Sequence, residues 1–179
     1  MLPPDRVAAA PALESGDERA AARAKARAAA GSSGWLKLIL DHHEQVEEAF
    51  QRVLNARTVN SQRSAQKFLT TLLTGHSIAE EAAIYPALAS AGDKDSAVEA
   101  YQQQSEAKIG LSVLQELEPL SQEYLDKVEE IRQEVAHHVF EEESNWFLTL
   151  RESAEPTTQA KLSRLYKAEF ARYMGDEAT

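Results

Sequence analysis

Two stretches of this chain pair a histidine with a glutamate four residues on: His76 with Glu80, and His138 with Glu142. On a helix, residues i and i+4 share one face with Cβ atoms about 5–6 Å apart, so each pair can offer one cation an imidazole nitrogen and a carboxylate oxygen. The stretches are copies of one another. At an offset of 62 residues, His76-Ser-Ile-Ala-Glu80-Glu81-Ala-Ala-Ile84-Tyr85 overlays His138-Val-Phe-Glu-Glu142-Glu143-Ser-Asn-Trp146-Phe147, Leu73 meets Val135, and Leu88 meets Leu150. A third histidine, His42, stands on the apolar stripe Ile39, His42, Val46, Ala49, Val53, and the same offset carries it to Gln104. Burying a charge or an unpaired imidazole costs several kcal/mol unless a partner meets it, so polar groups on three apolar stripes call for one shared partner.

The chain has no cysteine, which excludes disulfides, thiolate zinc sites, iron–sulfur clusters and thiol nucleophiles. Imidazole and carboxylate without thiolate suit iron, manganese or zinc better than Cu(I). Other chemistries lack their residues. There is no His-Glu-x-x-His zinc-protease motif, glycine-rich phosphate loop or serine nucleophile elbow, and the single Glu-x-x-His, Glu134 to His137, lies off the apolar stripe.

The elements that must position these groups read as helices. Apolar residues recur at helical spacing over about 35–57 (Ile39, Val46, Phe50, Val53), 61–89 (Phe68, Leu69, Leu72, Leu73, Ala83, Leu88), 95–117 (Val98, Tyr101, Leu111, Leu114) and 121–150 (Val128, Ile131, Val135, Trp146). On the last, the inward positions run Val128, Ile131, Val135, His138, Glu142, Asn145. Tyr85, Trp146 and Phe147 read as packing within the core or at the bundle end. No segment shows the two-residue alternation of a strand. Four long helices with short connections predict an all-α, up-down-up-down four-helix bundle over 35–151. A fifth helix over 157–174, with Thr157 as N-cap and Gly175 as stop, packs outside it. Residues 1–34, with an Ala/Arg run and no large apolar face, read as a flexible, disordered leader.

Asp41-His42, then His76-xxx-Glu80-Glu81 leading to Tyr85-Pro86, then His138-xxx-Glu142-Glu143 leading to Phe147, resembles the hemerythrin-like HHE cation-binding family over about 35–150. The resemblance implies a non-haem di-iron centre inside the bundle. It makes His42, His76 and His138 terminal nitrogen ligands and Glu80 and Glu142 bridging carboxylates. It also implies a small partner: oxygen, nitric oxide or peroxide, bound or sensed. Where the family has histidines on the third helix, this chain has Gln104 and Lys108, which argues against reversible oxygen carriage. His43 and His137, about 100° round the helix from the proposed ligands, and Glu81, Glu141 and Glu143 read as surface or supporting groups. Two alternatives stay open: a peroxide-consuming di-iron enzyme, and a metal-poor interaction module with Gln104 as the sign of drift.

The net charge of −10 opposes a nucleic-acid partner, because phosphate binding needs a positive surface. No apolar run approaches the roughly 18–20 residues of a membrane helix, and the first residues lack a secretory pattern. The expectation is a cytoplasmic protein without a membrane partner.

Overall fold

The structure is a computed structural model and describes residues 14–175. These form α1 (Gly16–Ala30), α2 (Trp35–Asn55), α3 (Val59–Ser90), α4 (Lys94–Glu116), α5 (Gln122–Glu141), α6 (Phe147–Ser153) and α7 (Pro156–Met174), with a π-helical turn, Glu142–Trp146, between α5 and α6. No strand occurs among the described residues. Side chains fix the helix starts. Thr58, Asp93 and Ser121 accept from the backbone N–H of Ser61, Ser96 and Tyr124, which satisfies a donor the first helical turn leaves free. α7 begins one residue before the expected Thr157 cap, with Pro156 as its first residue, where a missing N–H goes unnoticed. No helix among the described residues is long and apolar enough to cross a membrane.

α2 packs on α3 and α5, α3 on α4, and α4 on α5, closing a ring of four consecutive helices. Short connections make neighbours antiparallel, giving the up-down-up-down bundle. α7 lies outside it against α3 and α2. The Trp35 indole N–H donates to Gln159 Oε1 at 2.7 Å, and the Trp35 backbone N–H to Ser163 Oγ at 2.9 Å. At Gly75 a Cβ would come within 2.9 Å of the Tyr173 ring, so the bare backbone there lets α7 seat beside His76.

Two expectations are corrected. Residues 16–30 of the supposed leader are a capped helix: Ser15 and Glu18 form a capping box, and Ala22, Ala26 and Ala30 are buried against the bundle. Alanine methyls alone form this buried face, and the Ser-x-x-Glu pattern before the Ala/Arg run was its signal. Residues 1–13 lie outside the described residues. On α4 the buried face is Ala97, Ala100, Gln104, Ala107, Leu111 and Leu114, while Val98 and Tyr101 are 66% and 38% exposed. Small residues win that face because α4 and α5 are close: a Cβ at Gly110 would lie 2.8 Å from Ile131 Cγ1.

The core has two apolar layers. One, toward the α6 end, holds Trp35, Leu40, Ala83, Ala100 and Phe147; the other holds Val46, Phe50, Leu73, Ala107 and Val135. α2, α3 and α4 each cross from one layer to the other, and α5 does so through its continuation past the π turn into α6. Where they cross, the buried residues are polar: His43 on α2, His76 and Glu80 on α3, Gln104 on α4, and His138 on α5 with Glu142 just past its end.

Candidate metal centre

Two groups of three ligand atoms form in this polar layer. His43, His76 and Glu80 make one; Glu80, His138 and Glu142 make the other; within each group the donor atoms lie within 4.8 Å of one another. Glu80 belongs to both. Across the layer, His43 Nε2 is 3.3 Å from Glu142 Oε2 and 3.8 Å from Glu80 Oε1, His76 Nε2 is 3.2 Å from Glu80 Oε2, and His138 Nε2 is 3.3 Å from Glu142 Oε1.

The structure therefore brings His76, Glu80, His138 and Glu142 together and leaves His42 out. His43 takes the place on α2 that the sequence pattern gives to His42. His42 faces α7, with its ring stacked on Phe170 at a centroid distance of 3.9 Å and its Nδ1 2.7 Å from the Tyr166 hydroxyl. Of the other groups singled out, His137 pairs with Glu14, 2.9 Å away, and Lys108 pairs with Glu81, both away from the layer.

Each inward histidine is held from behind through Nδ1. His43 Nδ1 meets Glu143 Oε1 at 2.7 Å, and Arg23 of α1 donates to both oxygens of that carboxylate at 3.0 Å. His138 Nδ1 meets Gln103 Oε1 at 2.7 Å, and Gln103 donates in turn to Glu141 at 2.8 Å. His76 Nδ1 meets the Tyr166 hydroxyl at 2.9 Å. A carboxylate or amide oxygen behind Nδ1 holds the proton there and leaves the Nε2 lone pair facing inward, the arrangement that orients histidines toward a metal.

The π turn explains why Glu143 is buried. An i→i+5 turn takes up an extra residue and rotates the chain beyond it. Glu142 and Glu143 both become buried, Trp146 and Phe147 turn inward after them, and Asn145, expected inward, is exposed. The equivalent Glu81, on unbroken α-helix, stays half-exposed.

Tyr85 is core packing by its spacing, yet its hydroxyl stands within the layer. It lies 2.9 Å from Glu142 Oε1 and 3.2 Å from both Glu80 Oε2 and His138 Nε2. Gln104 donates its amide N–H to Glu80 Oε2 at 2.7 Å and to the Tyr85 oxygen at 2.5 Å. A buried tyrosine needs a hydroxyl partner, and that requirement was the available sequence signal.

The charges respond to one another. Burial resists a charge on His43, but the carboxylates of Glu142, Glu143 and Glu80 overcome it and raise its pKa well above the usual histidine value. Burial and the neighbouring Glu142 push Glu80 up to about 7. Burial also works against Glu142, yet His138 and His43 hold its carboxyl below the ordinary range. Burial, reinforced by His43 and His42, drives His76 well down, and burial with His43 takes His42 to about 4.

These residues fit a metal. His43 Nε2, Glu80 Oε1 and Glu142 Oε2 are buried without a hydrogen-bond partner, and a buried polar group left so costs about 1–3 kcal/mol. The single Tyr85 proton has three acceptors around it. The carboxylates carry the excess of acceptors, and a cation satisfies them in place of the proton that they otherwise draw onto His43. Beside the layer lies a cavity of about 20 Å³ bordered by His43, His76, Gln104 and His138 and otherwise mainly by apolar side chains. A larger one of about 490 Å³, among α1, α2 and α5, reaches the outer side of His43 and Glu143.

An all-helical bundle with a buried His/Glu layer able to hold a metal defines the class of protein. Residues 35–150 match the hemerythrin HHE cation-binding domain family, and the chain belongs to it. A solved structure of a hemerythrin HHE cation-binding domain-containing protein from Mycobacterium kansasii is similar in fold, with a TM-score of 0.70 at 20% identity, covering 79% of this chain and 88% of that one. The chain is also 34% identical over 110 residues to a protein named DNA nickase from Nostoc sp.. That match covers 60% of this chain, which spans about a third (31%) of the relative's length.

Proposed function

We propose that the polar layer holds a non-haem di-iron centre with which the protein binds or senses a small molecule such as oxygen, nitric oxide or peroxide. The observation that carries this reading is the pair of buried ligand groups sharing Glu80, with three donor atoms left without hydrogen bonds. His43, His76 and Glu80 would hold one ion, and His138 and Glu142, with Glu80 shared, the other. Iron there supplies a Lewis-acidic, redox-active position next to the small cavity. At about 20 Å³ that cavity has room for about one water-sized molecule, which suits a small ligand such as a diatomic. The donor set, imidazole and carboxylate, also accepts manganese or zinc, so metal identity is part of the test. Gln104 is a replacement of the kind that drift to a metal-poor pocket would make, and against that reading stand His43 Nε2, Glu80 Oε1 and Glu142 Oε2, which remain without hydrogen bonds. The net charge of −10 gives no support for extending the relative's nicking activity to this chain.

Protein loaded anaerobically with Fe(II) should take close to two ions, and its near-ultraviolet and visible spectrum should change on adding oxygen, nitric oxide or peroxide. A change that saturates with stoichiometric ligand supports binding or sensing; continuous peroxide loss supports the enzyme version. An iron-loaded protein whose spectrum ignores all three would contradict the reading.

A further inference from the structure

Of the three histidines facing the layer, two have an unambiguous acceptor behind Nδ1: a carboxylate for His43 and an amide oxygen for His138. His76 has a hydroxyl, which can donate or accept. Tyr166, fully buried on α7, places that hydroxyl 2.9 Å from His76 Nδ1 and 2.7 Å from His42 Nδ1. The hydroxyl has one proton, so it can donate to only one of the two rings and must accept from the other to satisfy both contacts.

We infer that Tyr166 is a positioning residue for the metal centre: it accepts the Nδ1 proton of His76, donates its own proton to Nδ1 of His42, and so holds the His76 Nε2 lone pair toward the layer. The assignment rests on the metal-centre reading, since it is ligation through Nε2 that requires His76 to carry its proton on Nδ1. It gives His42 a use. Phe170 stacks on that ring, the Tyr166 hydroxyl is its hydrogen-bond partner, and with its proton on Nε2 it fixes the direction in which the hydroxyl points. The reverse direction would put the His76 proton on Nε2, 3.2 Å from Glu80 Oε2, and would remove its lone pair from the layer.

α7 is thus part of the centre, although it lies outside residues 35–150 that match the family. Its seating is local to His76. Gly75, the preceding residue, is where a Cβ would meet Tyr173 at 2.9 Å and Met174 Sδ at 3.1 Å, so the helix rests on bare backbone next to the histidine it orients.

The test uses full-length protein with Zn(II) as the probe, since zinc is redox-silent and its affinity is read by chelator competition without any activity. Tyr166→Phe keeps the ring and removes the hydroxyl; zinc affinity should fall by about 10- to 100-fold, the usual effect of losing such an outer partner. In the zinc-loaded parent, ¹⁵N-histidine spectra should show His76 protonated on Nδ1 and His42 on Nε2. Leu162→Ala, which loosens α7 through a buried residue that touches no hydrogen bond to the site, should weaken zinc less than Tyr166→Phe. His42 protonated on Nδ1, equal affinity in Tyr166→Phe and parent, or equal losses in Tyr166→Phe and Leu162→Ala would each overturn the positioning role while leaving the metal centre standing. A parent that binds no metal would overturn the centre itself, and this inference with it.

Discussion

Replacing His43 with alanine is expected to strip the protein of most of its metal, whereas His42→Ala should keep it. The two residues are neighbours in sequence and both are histidine, so the contrast isolates geometry from composition. His43 Nε2 is one of the buried atoms without a hydrogen bond and belongs to the group with His76 and Glu80. Losing a ligand should exceed the roughly 10- to 100-fold typical of an outer-shell partner. His42 touches the layer only through Tyr166, and with His42 gone the Tyr166 oxygen still accepts from His76, so its loss should stay within about tenfold of the parent, below the usual outer-partner effect. The measurement is iron and zinc affinity by chelator competition, with metal content of the purified variants beside it. Metal lost from His42→Ala and kept by His43→Ala would reverse the assignment on α2.

The second large effect is on stability. Without metal, six polar or ionisable side chains (His43, His76, Glu80, Gln104, His138 and Glu142) are buried in one layer with several donor and acceptor atoms unmet. A ligand that binds only the folded state stabilises it by about 2.7 kcal/mol at a free concentration one hundred times its Kd. For a domain of this size that is a rise in melting temperature of about 5–11 °C. Chelator-stripped protein should therefore melt lower by about that margin, and added Fe(II) should restore it. Hydrogen exchange should quicken most around the π turn and the middle of α3, where the unmet groups lie. A stripped protein with an unchanged melting temperature would mean that the layer is satisfied without a cation.

Most of the scaffold was legible because it follows from period alone. The His-xxx-Glu copies sit on long amphipathic helices, and both pairs face inward as the i, i+4 rule requires. The choice between His42 and His43 was not legible. Ile39, Leu40, Val46, Ala49, Phe50 and Val53 are all buried, so α2 has an apolar face wide enough to admit either histidine. What narrows the choice is α7, which covers the His42 side, and its docking position is set by contacts such as Trp35 with Gln159 that no local pattern encodes. Glu143 was hidden for a different reason. Helical spacing placed it on a solvated face, and only the π turn, with Arg23 arriving from α1, carries it inside. Arg23 was lost in turn because alanines rather than large apolar residues bury α1.

The central claim is that metal ions occupy the layer between the two apolar halves of the bundle, and anomalous X-ray scattering at the iron edge tests it most directly. Crystals of iron-loaded protein should show two anomalous peaks per chain, one among His43, His76 and Glu80 and the other among Glu80, His138 and Glu142. Crystals grown at the same iron concentration with no anomalous density in that layer, or with iron confined to surface carboxylates such as Glu81 and Glu141, would contradict it.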